Sequence, residues 1–185
     1  MTRFDARDMT LSAVFAALYV TINVLQTVSI GNPTIYGPIQ LRIADCLIAM
    51  AALLGWPVIG GVTLGCFLTN AYYFLGTTDV IFGPVANLLA ATTVFLLRRY
   101  HFAACVTGAL PVGLIVGGYL WIFFSPPEVL SILPAWAAMI ISITASSLVS
   151  IGGIGYIFLS IMSKRNIVKS LQSRGLKVVN QDKSS

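Results

Sequence analysis

Apolar residues in this chain run on in long blocks, and prolines, glycines and small charged clusters cut the blocks apart. The first block covers residues 10–30. It is closed by Gly31-Asn32-Pro33-Thr34-Ile35-Tyr36-Gly37-Pro38, where two prolines and two glycines forbid a continuing helix. A second block, 39–54, stops at Gly55-Trp56-Pro57, and a third runs from there to residue 75, ahead of Gly76-Thr77-Thr78. The fourth spans 79–97 and ends at Arg98-Arg99-Tyr100-His101. The fifth, 102–124, contains Pro111, and Ser125-Pro126-Pro127-Glu128 separates it from the sixth, 132–161.

A membrane-spanning helix needs about 20 apolar residues, so these blocks predict six spanning helices, the second being the shortest. Strands of a membrane barrel alternate polar and apolar positions, and these runs do not. The first block starts after Arg3 and Arg7, but Asp5 and Asp8 accompany them and its apolar core exceeds the roughly 7–15 residues of a signal peptide. It is read as a span, not a cleaved leader.

Composition agrees. Of 185 residues, 57% are hydrophobic and 9% charged, against about 25% charged in soluble domains. Mean hydropathy is +0.90. That excludes a soluble enzyme, a nucleic-acid-binding module and a disordered chain. The expected architecture is all-α: an integral membrane bundle over residues 1–163, then a basic tail, 164–185, expected to be partly disordered.

The charges give an orientation. Six spans leave both termini on one side. Arg3, Arg7, Arg98, Arg99, Lys164, Arg165, Lys169, Arg174, Lys177 and Lys183, ten of the eleven Lys and Arg, fall on that side. The positive-inside rule makes it cytoplasmic. Asp45, Asp79 and Glu128 fall toward the opposite face, with Arg42 as the lone base there.

A charge within hydrocarbon costs at least about 2.5–3.5 kcal/mol and normally faces a cavity. Arg42 and Asp45, three residues apart, are expected on one helix face, close enough to pair. Asp45 lies roughly 9 Å inward from Ile39 and Asn70 at a similar depth, with Asn87 about 12 Å below Asp79. Tyr72, Tyr73, Tyr119, Trp121 and Trp136 fall in the same outer half. Apolar and aromatic walls with a few fixed polar groups describe a small-molecule site. Other readings stand beside it: Arg42–Asp45 as a structural ion pair, the aromatic residues as an interfacial belt, and Asp79 as a cap of the fourth helix.

Catalysis has no support. The chain lacks a Gly-x-x-x-x-Gly-Lys-[Ser/Thr] phosphate loop and any nucleophile paired with a base. One histidine and three scattered cysteines (Cys46, Cys66, Cys105) make neither a metal site nor a disulfide framework, and no cofactor is expected. Ala13-x-x-x-Ala17, Gly61-x-x-x-Gly65 and Gly113-x-x-x-Gly117 place small residues one turn apart, which lets helices approach closely, although such pairs are common in membrane helices.

Six short helices, a basic tail and Ala13-x-x-x-Ala17 resemble the substrate-binding S-component of an energy-coupling factor (ECF) transporter. Gln40-Leu41-Arg42-Ile43-Ala44-Asp45, Gly65-Cys66-Phe67-Leu68-Thr69-Asn70 and Asp79-Val80-Ile81-Phe82-Gly83 resemble the queuosine-precursor (QueT-type) members. Many members carry Glu where this chain has Asp45. The resemblance implies uptake of a 7-deazaguanine precursor of queuosine or archaeosine across a prokaryotic plasma membrane. Asp45, held by Arg42, would accept the guanine-like edge, Asn70 would fix a carbonyl or ring nitrogen, and Asp79 would be the second acceptor. Tyr72, Tyr73 or Trp121 would stack on the ring. Ala13 and Ala17 would dock on a membrane coupling subunit driven by two ATPases.

Three alternatives compete: an S-component for another vitamin, a stand-alone six-helix carrier of the same precursors, and a membrane assembly protein that binds no metabolite. With Arg42 the single base at the outer site, a neutral or cationic heterocycle fits better than an anionic vitamin.

Overall fold

The computed structural model describes residues 5–30 and 39–179, and every regular element among them is helical. The break expected at 31–38, Arg3 and the chain beyond 179 lie outside the described residues. Helix α1, Ala6–Ile30, starts at a pair of acidic residues. The Asp5 carboxylate accepts the Ala6 N–H at 2.7 Å and Asp8 accepts the Asp5 N–H at 3.1 Å. The two acids that argued against a signal peptide thus define where the helix begins.

Helix α2, Ile43–Leu54, opens as a 3₁₀ helix over Ile43–Met50 and closes as an α-turn over Ala51–Leu54. Every residue from Ala44 to Leu54 is buried, as expected of a helix apolar on all sides. A 3₁₀ helix rises about 2.0 Å per residue against 1.5 Å for an α-helix, so this short segment covers roughly 22 Å. Gly55 (φ +70°) turns the chain through a conformation that only glycine adopts cheaply, and Pro57 sits in the first turn of α3, Trp56–Tyr73.

Helices α4, Thr77–Leu96, and α5, His101–Leu120, follow, carrying Pro84 and Pro111 inside them. Helix α6, Ala135–Met162, is α-helical except for a π-helical stretch over Leu148–Gly155. The basic tail forms α7, Arg165–Ser173, then turns at Gly175 (φ +80°) and runs back along the bundle.

Among the described residues, four helices are long and apolar enough to cross a membrane: Ala6–Ser29, Thr77–Leu96, His101–Leu120 and Ala135–Met162. Ile43–Leu54 is apolar but shorter. Pro57, Asn70, Tyr72, Tyr73 and three glycines dilute α3 below that standard.

Glycines set the closest helix pairs. A Cβ on Gly61 would fall 2.5 Å from the Ser12 carbonyl, and one on Gly65 would fall 2.7 Å from Tyr19 Cβ, so α1 rests directly on α3. A Cβ on Gly117 would lie 2.6 Å from Ile140 Cα, which fixes α5 on α6 in the same way. Both Gly-x-x-x-Gly pairs therefore carry packing.

The ends of the passes sort into two layers. Lys177 pairs with Asp8 at 2.8 Å, and Val179 donates to the Leu53 carbonyl at 2.9 Å. Asp8, Gly55, Phe95 and Lys177 line one cleft. Both described chain ends, the α2–α3 turn and the end of α4 thus share one end of the bundle. The other end joins α1 to α2 and α3 to α4.

Candidate functional site

The polar residues of the far end converge on the start of α2. Gln26 of α1 grips the approach to it: its side-chain amide donates to the Leu41 carbonyl at 2.5 Å and accepts from the Ile43 N–H at 3.0 Å. Arg42 precedes the helix with extended backbone (φ −82°, ψ 100°). The expected Arg42–Asp45 pairing rested on one continuous helical face. Arg42 is not on that face, and among the described residues its ion pair runs to Asp79 Oδ1 at 4.0 Å.

Asp45 is buried on the core side of α2. Tyr19 donates its hydroxyl to Asp45 Oδ1 at 2.6 Å, and Asn87 Nδ2 of α4 donates to that same hydroxyl at 3.0 Å. Asp79, wholly buried, receives the Tyr119 hydroxyl at 2.7 Å, and its backbone carbonyl accepts from Asn70 Nδ2 at 3.0 Å. No side chain caps α4, so the capping reading of Asp79 falls away. Its carboxylate turns inward to Tyr119 and Arg42. Gly83 makes room for Asn70, since a Cβ there would collide with the Asn70 amide.

Two carboxylates and one guanidinium are thus held in an apolar bundle, each buried and each linked to another polar group. Gln40, Arg42, Asp45, Asn87 and Ser147 surround a small void closed by Val112, Val116 and Ile143. It measures about 10 Å³, room for one water at most. Among the buried polar atoms here, Gln40 Nε2, Asn70 Oδ1 and Asp79 Oδ2 make no hydrogen bond among the described residues. The larger grooves that involve Phe67 and Leu88, or Tyr72 and Leu68, are apolar and lie on the outside of the bundle.

Of the residues singled out by sequence, Arg42, Asp45, Asn70 and Asp79 come together. Tyr73 does not; it lines an outer groove with Val20, Leu68 and Tyr72, its ring edge-to-face with Tyr72 at 5.0 Å. Trp121 is exposed and donates to the Gly118 carbonyl at 2.9 Å. Ala13 and Ala17 are exposed on α1, away from the face that carries Ala16 and Tyr19. All three cysteines are buried in the packing.

Sequence reasoning missed Tyr19, Asn23 and Gln26, all buried. Their spacing of i, i+4 and i+7 was the available signal, a polar stripe on one face of the first helix. Tyr119, open in the sequence between a site wall and an interfacial belt, donates its hydroxyl to Asp79.

The family model of the QueT transporter matches residues 9–164 of the chain. No curated protein and no solved structure matches it.

Proposed function

The chain belongs to the QueT transporter family, a multi-pass membrane protein with a transport role and not a catalytic one, and on that premise we propose that it is the substrate-binding subunit of an ECF-type importer for a 7-deazaguanine precursor of queuosine. One observation carries the proposal. A buried carboxylate, Asp45, opens on a polar void within a membrane bundle and is held by side chains of two other helices, Tyr19 of α1 and, through its hydroxyl, Asn87 of α4.

The chemistry suits a guanine-like edge. Adjacent N–H donors of such a ring meet the two oxygens of one carboxylate, and charge-assisted bonds of this kind are the strong ones. Tyr19 and Asn87 hold Asp45 in place, and Asn70 offers an acceptor. A bicyclic ring needs more room than one water, so binding requires α2 to part from α5 and α6. The π stretch of α6, with Gly152, Gly153 and Gly155, is where that helix has least resistance to such movement.

In this reading the end that holds both described chain ends faces the cytoplasm. Arg7, Arg98, Arg99 and the basic tail gather there, in line with the positive-inside rule. The exposed Ala13–Ala17 face of α1 would meet the coupling subunit, and two ATPases would supply the energy.

Binding to the purified protein tests the proposal. A 7-deazaguanine should raise the melting temperature, by an amount equivalent to about 2.7 kcal/mol at 100 times its dissociation constant. Asp45→Ala and Asn70→Ala should each abolish the rise; a full response in either variant removes that residue from the site. A response to vitamins but not to deazaguanines transfers the chain to another substrate. Uptake into vesicles without any ATPase partner favours a stand-alone carrier.

A further inference from the structure

The basic segment after α6 is folded and tied down. Lys177 pairs with Asp8 at 2.8 Å, Arg7 donates to the Gly175 carbonyl at 3.4 Å, and the Val179 N–H reaches the Leu53 carbonyl at 2.9 Å. Between α6 and these three ties lies α7. Its end is closed by Gly175 (φ +80°), with the Leu176 N–H on the Leu171 carbonyl at 3.1 Å. The side chains of α7 are therefore presented from a fixed frame.

Its two faces differ. Val168 and Leu171 pack against the buried core, while Arg165, Lys169 and, just past the helix, Arg174 are exposed. Arg165 and Lys169 stand one turn apart, where like charges repel. Among the described residues no carboxylate pairs with any of the three: Asp8 is taken by Lys177, and Asp5 accepts the Ala6 N–H. A rigid basic face thus lacks its anion. Its depth is marked independently. Lys164 and Arg165 come directly after the span that closes at Met162. At the same end Trp56, its ring 5.8 Å from that of Phe95, and Tyr100 are 56% and 70% exposed, and exposed Trp and Tyr are typical of the headgroup layer.

We propose that α7 is a docking surface for acidic phospholipid headgroups, with Arg165, Lys169 and Arg174 holding lipid phosphates at the end of the bundle that carries both described chain ends. Bases clustered directly beyond a membrane span attract anionic lipid, and guanidinium forks bond phosphate oxygens in pairs. Because the apolar face of α7 is spent on the bundle, its hold on the bilayer is electrostatic and weakens with salt.

The test purifies the full-length protein in a neutral detergent with equimolar phosphatidylglycerol and phosphatidylcholine and counts the retained lipids by native mass spectrometry. The wild type should keep phosphatidylglycerol over phosphatidylcholine by at least about fivefold. Arg165→Gln with Lys169→Gln and Arg174→Gln should bring the two lipids within about twofold of each other. Its melting temperature in lipid-free detergent should not change, since the three side chains are exposed. Arg98→Gln with Arg99→Gln, at the end of α4, should keep most of the preference. Equal retention by the wild type, a triple variant that keeps the full preference, or a larger loss in the α4 pair each overturns the proposal. So does capture of a polyglutamate peptide that phosphatidylglycerol vesicles fail to displace, which assigns the face to an acidic protein. Every arm is read without substrate, so the outcome is independent of the transport reading.

Discussion

Tyr19 and Asp45 meet across a 2.6 Å hydrogen bond between α1 and α2, both side chains buried and the hydroxyl tied in turn to Asn87 of α4. Three helices are joined at one oxygen. Tyr19→Phe keeps the ring and removes only the link, leaving a buried carboxylate and a buried amide each short of a partner. Stability should fall by about 1–3 kcal/mol, read as a lower thermal midpoint in detergent. An unchanged midpoint would mean that Asp45 finds another donor.

The glycine contacts make a sharper test. Gly65→Ala drives a methyl to 2.7 Å from Tyr19 Cβ and 3.0 Å from the Ala16 carbonyl, so α1 must lift off α3. The expected cost is about 1–3 kcal/mol, with weaker ligand binding because Tyr19 moves with its helix. Gly118→Ala meets nothing within 4 Å and should change neither quantity. Paired melting curves check both.

Ala13→Leu with Ala17→Leu adds bulk to an exposed face that the core does not use. Melting temperature and ligand affinity should hold while uptake in cells carrying the coupling subunits is lost. Normal uptake would remove the docking role from α1.

At the terminal end, Lys177 and Asp8 form a pair in which the lysine side chain is 47% exposed. Exposed pairs are worth about 0–1 kcal/mol, so Lys177→Ala should barely move the melting temperature. Ending the chain at Gly175 also removes the Val179 N–H from the Leu53 carbonyl and the packing of Val178. That truncation should destabilise clearly more than the point variant. Equal effects would show that the backbone contact contributes nothing.

Much of this arrangement was legible in the sequence. Uninterrupted apolar blocks cannot form barrel strands, so the helical architecture followed from periodicity alone. Arg42, Asp45, Asn70 and Asp79 are charged or amide groups in apolar surroundings, and placing them at one depth required only the helical rise. The partners were harder to read. Tyr119 and Trp121 sit two positions apart at one helix end, and the side each faces depends on how α5 rotates against α4 and α6. Tyr119 turns in to Asp79 while Trp121 stays exposed. The 3₁₀ winding of α2 was equally hidden, because Ile43–Met50 has no residue that dictates it. Arg42 leaves the face of Asp45 because its backbone is extended ahead of the helix.

The meeting of Asp8 with Lys177 has a practical outcome for engineering. Segments this close can be joined by a short linker, and the chain reopened elsewhere. The exposed turn around Glu128–Leu130 joins α5 to α6 at the opposite end of the bundle. A circular permutant cut there would carry both its new ends at the opposite end of the bundle from Asp8 and Lys177, with every helix pairing intact, so tags on it would probe that end directly.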